Sequence, residues 1–75
     1  MNQPIEYTVI AHEADEGGYW TEVPGLPGAG SQGESLDEAI ESTKESIRLV
    51  IGVMREQGQE IPAPNDVVVK VTVAA

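Results

Sequence analysis

From Ile5 to Glu13 apolar and polar side chains alternate, with Ile5, Tyr7, Val9 and Ala11 on one face of an extended chain and Glu6, Thr8, Ile10 and His12 on the other. The alternation predicts a strand with one buried face. Ala14 to Gly18 is a polar turn, and its Gly17-Gly18 pair supplies the positive φ angles of a tight hairpin. Tyr19 to Val23 then alternates again, with Tyr19, Thr21 and Val23 opposite Trp20 and Glu22. These two strands are expected to pair antiparallel. Pro24 and Pro27 bracket Gly25 and Leu26 and stop the ladder near Val23, because proline has no amide donor and restricts the residue before it. A short third strand is predicted from about Ala29 to Gln32, where Ala29, Gly30 and Ser31 are small enough for a helix to cross the sheet closely.

The period then changes to that of a helix. Ser35 is a natural N-cap with Glu38 in capping-box position, and Asp37 and Glu38 complement the positive end of the helix dipole. Leu36, Ala39, Ile40, Thr43, Ile47, Val50, Ile51 and Met54 recur every three or four residues and form the stripe that packs on the sheet. Gly58 is the expected stop. A second line, Ser42, Ser46, Leu49 and Val53, is too apolar at its later end for a solvated face, so Leu49 and Val53 are candidates for self-association. Glu60 to Asp66 reads as an extended proline-containing connector, and Val67 to Val73, alternating Val67, Val69, Val71 and Val73 with Val68, Lys70 and Thr72, as a final strand returning to the same sheet. The fold class is therefore α+β in the order β-β-β-α-β, an antiparallel hairpin-based sheet with one helix on one face, in a single domain over residues 1–75.

Composition changes this picture in two ways. With no Phe, one Trp, two Tyr and no Cys, a 75-residue chain has a thin aliphatic core and no disulfide or thiolate metal site to reinforce it, so self-association as a dimer or tetramer is expected. Thirteen acidic against four basic residues give a net charge of -9, which opposes phosphate backbones and favours basic partners; direct nucleic-acid binding is not expected. The N-terminus has no secretory pattern and no apolar run approaches a bilayer span, which makes the cytoplasm the expected location, without membrane attachment.

Candidate chemistry is sparse. His12, the only imidazole, stands at a strand end beside Glu13 without the partners that base or nucleophile chemistry requires, and reads as a surface or turn residue. Glu13, Asp15 and Glu16 lack calcium-loop spacing, and the glycines of Gly25 to Gly33 are followed by no Gly-Lys-Ser/Thr, so neither a cation site nor a phosphate loop is expected. No catalytic, cofactor or metal residue is assigned. Trp20 is more informative, because it shares a strand with Tyr19 but points to the opposite face, and a one-layer sheet buries only one of them. Tyr19 takes the core. Trp20 is then either an aromatic covered by a loop or an interface anchor, and Ile10 across the hairpin and Glu22 two residues on extend its face.

The combination of Gly17-Gly18-Tyr19, Val23-Pro24-Gly25-Leu26-Pro27-Gly28, Gln32-Gly33, Ser35-Leu36-Asp37-Glu38-Ala39 and Ile61-Pro62-Ala63-Pro64 resembles the HicB-like antitoxin domains of toxin-antitoxin pairs. Ala29 stands where the family often has Cys, and a small residue is retained. The resemblance implies a β3-α-β fold related to a truncated ribonuclease H fold, and a non-enzymatic protein that binds and blocks a small basic HicA-like toxin that cleaves messenger RNA. Ribonuclease activity does not follow from it, because Glu6, Glu13 and Glu22 are scattered along the strands instead of converging on paired cations. Many members continue into an operator-binding domain; the sequence here runs to Ala75, so DNA contact of its own is not expected. The competing reading is a solitary homo-oligomeric domain with a structural or regulatory role and no toxin partner.

Overall fold

The computed structural model describes residues 5–63 and 67–74; residues 64–66 of the predicted connector lie outside the described residues. Three strands, β1 (Ile10–Glu13), β2 (Tyr19–Glu22) and β3 (Gln32–Gly33), precede one helix, α1 (Leu36–Glu56). The sheet is antiparallel in the order β1-β2-β3. The architecture is α+β in the order β-β-β-α, as the alternation and the helical stripe predict.

Both glycines of the hairpin take positive φ, +97° at Gly17 and +81° at Gly18. All three strands are shorter than their sequence patterns. β1 begins at Ile10 instead of Ile5 because β2 ends at Glu22, and Ile5 to Val9 therefore have no ladder partner among the described residues. β3 is shifted to Gln32–Gly33, although Ser31 already accepts the Thr21 amide at 2.8 Å.

The helix is specified at both ends. The Ser35 hydroxyl accepts the Glu38 amide at 3.1 Å, half of the capping box. At the other end Gly58 has φ +71°, its amide bonds the Arg55 carbonyl, and the Gln59 amide bonds Met54, a Schellman closure. The helix meets the sheet where side chains are smallest. A methyl group at Gly33 would lie 2.5 Å from the Ala39 amide nitrogen, so only glycine allows this crossing.

Beneath that crossing, Thr21 of β2 and Thr43 of α1 place their hydroxyls 2.6 Å apart, both residues buried. Thr43 donates its one proton to the Ala39 carbonyl at 2.6 Å, so the short bond is donated by Thr21, which also accepts the Ser31 amide at 2.9 Å. Among the described residues no buried side-chain polar atom is left without a partner.

A helix of 21 residues runs about 31 Å, whereas a four-residue strand covers about 13 Å. The second half of α1 is accordingly packed by the proline-glycine loop: Val23, Leu26 and Ala29 are buried and meet Ile47, Val50, Ile51 and Met54. Leu26, 1% exposed, is the plug of the core. The predicted stripe holds except at Leu36, which lies exposed in the first turn.

The predicted final strand is corrected. Residues 67–74 carry no ladder, and Val67, Val68, Val69, Val71 and Val73 are 67–84% exposed. The Tyr7 hydroxyl donates to the Pro62 carbonyl at 2.9 Å, which places the start of the connector beside Tyr7.

Candidate functional site

The face of the sheet turned away from α1 is assembled by register. Ile10 of β1 stands opposite Glu22 of β2, and His12 opposite Trp20, which is in turn opposite Gln32 of β3. The helix approaches through Thr21, whose side chain points the other way, so Ile10, His12, Trp20 and Glu22 project together from the uncovered face. Trp20 is 46% exposed and Ile10 39%. Of the predicted interface residues, the structure brings together Ile10, Trp20 and Glu22.

His12 joins them. Its ring stacks on Trp20 with centroids 4.1 Å apart and planes inclined by 20°, and its Nε2 lies 2.9 Å from Glu22 Oε1. Because a carboxylate oxygen only accepts, Nε2 carries the proton of that bond. The imidazole is therefore held on two sides, and it covers one face of the indole. Sequence reading treats His12 as an ordinary surface residue; the available signal is its period-two alignment with Ile10 on the face of Trp20.

This arrangement suits binding. A half-exposed indole fixed by a stacked ring offers a rigid aromatic anchor, and Glu22 beside it is an acceptor for a cationic side chain. Among the described residues no group of three or more His, Cys, Asp or Glu converges as metal ligands would.

Leu49 and Val53 lie on the helix layer, apart from this face. They are 68% and 50% exposed, while Ser46 earlier on the same flank accepts the Gly30 amide at 3.1 Å. The flank is thus tied to the sheet at its polar end and open to solvent at its apolar end. No described helix is long and apolar enough to cross a membrane.

A family model described as the HicB-like antitoxin of bacterial toxin-antitoxin systems matches residues 7–73. The chain is similar to a UPF0150 protein of Thermoplasma acidophilum, 38% identical over 61 residues that cover 81% of this chain and 88% of that one. It is also similar to the antitoxin HicB of Escherichia coli K12, 33% identical over 61 residues, and to antitoxin HicB 1 of Photorhabdus laumondii, 30% identical over 63. These matches cover 81% and 84% of this chain but only 44% and 41% of the two antitoxins.

Proposed function

The chain belongs to the HicB-like antitoxin family, and from that premise we propose that it is a non-enzymatic antitoxin-type binding module. It neutralises a small basic HicA-like toxin that cleaves messenger RNA by direct protein contact, in the cytoplasm and without binding nucleic acid itself. The observation that carries the reading is the uncovered sheet face on which Ile10, His12, Trp20 and Glu22 converge.

Charge supports it. A chain of net charge -9 attracts a cationic partner over about 10 Å at moderate ionic strength, and the acidic Glu22 stands next to the aromatic anchor. In this assignment Trp20 and Ile10 supply the desolvated centre of the contact and Glu22 its polar side. Leu49 and Val53, on the other layer, join copies of the chain into a homo-oligomer, which adds apolar burial that the thin core lacks.

The test is the association rate with a small basic HicA-like protein, sought in the neighbouring reading frame, measured across a salt series. The rate is expected to fall as salt rises; a salt-independent rate contradicts electrostatic steering, and no association contradicts the toxin partner.

A further inference from the structure

We propose that the groove beside Trp20 receives an arginine side chain of a basic partner, its guanidinium lying flat on the side of the indole that His12 leaves open. The proposal rests on the binding-face reading above and names the side chain that this face selects.

Charge is segregated along the chain. Nine of the thirteen acidic residues and none of the four basic ones precede Lys44, and the four acids and four bases from Lys44 onward cancel. The whole net charge of -9 therefore belongs to the part of the chain that forms the sheet and the start of α1. Among the described residues the only Lys or Arg that pairs with a carboxylate of that part is Lys44, which bonds Glu41 on the helix. The sheet carries a strong negative field that no cation of its own balances, and a cationic partner completes it.

Within that field Trp20 provides the surface for contact. It is 46% exposed, and His12 stacks on one side of its ring. Trp20 also lines a groove with Glu16, Gln32 and Glu34, in which His12 has no part. The floor there is Gly18 and Gly33, packed so closely that a methyl group on Gly18 would lie 2.7 Å from the Gly33 carbonyl oxygen, and neither has a side chain to fill the space. Glu16 and Glu34 are exposed and, among the described residues, in no ion pair. An indole beside two such carboxylates attracts a cation twice, through the ring quadrupole and through charge.

Arginine fits this groove better than lysine. A guanidinium is planar and weakly hydrated, so it lies on the ring while its N–H groups, in the plane of the group, donate to carboxylates at the edge; an ammonium is compact and must shed tightly held water to touch the indole. Gln32, opposite Trp20 in the register, adds an amide oxygen as acceptor. Glu22 is a positioning residue here. By holding His12 through Nε2 it fixes the stack, and the stack fixes the orientation of the open side of the indole.

Trp20 is the chain's only tryptophan, so its fluorescence reports this site alone. The native full-length chain is titrated with hexa-arginine and with hexa-lysine, equal in charge, at equal ionic strength, with calorimetry in parallel. The arginine peptide is expected to bind at roughly fivefold lower concentration and to shift Trp20 emission, and the lysine peptide to leave the emission nearly unchanged. Trp20→Leu, with its helical circular dichroism intact, should bind the two peptides alike in the calorimeter. A Glu16→Gln, Glu34→Gln variant, which keeps the indole and alters only exposed side chains, should lose most of the emission response. Equal binding of the two peptides by the native chain, or none, overturns the proposal. So does an arginine preference that survives Trp20→Leu, or an emission response that survives the loss of both carboxylates. None of these results touches toxin neutralisation, whereas a chain that prefers arginine at Trp20 yet neutralises no toxin refutes the antitoxin reading alone.

Discussion

The His12 ring lies 4.1 Å from the Trp20 indole, nearly parallel to it, and is held there by Glu22 two residues further along the same strand as Trp20. An exposed indole on a flat sheet would otherwise sample several rotamers, and a partner would have to restrict them at a cost of about 0.5–1.5 kcal/mol. The stack and the Nε2–Oε1 bond restrict it beforehand. Trp20 is thus held in place at little cost to the fold, since neither it nor His12 contributes to the buried core.

On the proposed function, replacing Trp20 by Ala is expected to weaken binding of the HicA-like partner by more than about 1 kcal/mol with little change in unfolding free energy. His12→Ala should weaken it less, and the double variant should fall short of the sum of the two, because the residues act as one unit. Calorimetric titration combined with urea unfolding checks both parts. Unchanged affinity in Trp20→Ala removes the residue from the interface.

The buried threonine pair makes the opposite prediction, a stability effect without a binding effect. Thr43→Val leaves the Thr21 hydroxyl proton with only the more distant Ser31 carbonyl, at 3.3 Å, and should cost about 1 kcal/mol. Thr21→Val should cost more, about 1–3 kcal/mol, because it also strands the Ser31 amide. The ordering, read from urea midpoints at constant slope, is the test. Equal losses would mean that the Ser31 amide finds another partner.

Leu49→Glu, Val53→Glu sets two carboxylates on the apolar end of the helix flank without touching Ile47, Ile51 or Met54. The native chain is expected to sediment as a dimer or larger at micromolar concentration, and the variant to dissociate and to melt at lower temperature. A monomeric native chain contradicts self-association. An unshifted oligomer contradicts only the assignment to Leu49 and Val53.

Much of this molecule is legible along the chain because its signals are local. The glycine hairpin, the Ser35 cap, the Gly58 stop and the alternation that sends Tyr19 and Trp20 to opposite faces are each set within a few residues. What escapes is decided by distant pairing. Leu26 lies between prolines and glycines that read as exposed loop, and it becomes the core plug only because α1 outruns the sheet. His12 belongs to the Trp20 face through a hairpin register that places it directly opposite. Val67 to Val73 has the pattern of a strand, but residues 67–74 carry no ladder, because alternation alone does not supply a pairing partner.

Neutralisation is the most direct test of the proposed function. A small basic HicA-like protein, sought in the neighbouring reading frame, is assayed for RNA cleavage while the native chain is titrated in, with Trp20→Ala in parallel. Cleavage should stop at a fixed molar ratio with the native chain and persist to a higher ratio with the variant. Cleavage that continues undiminished in excess native chain contradicts the antitoxin reading.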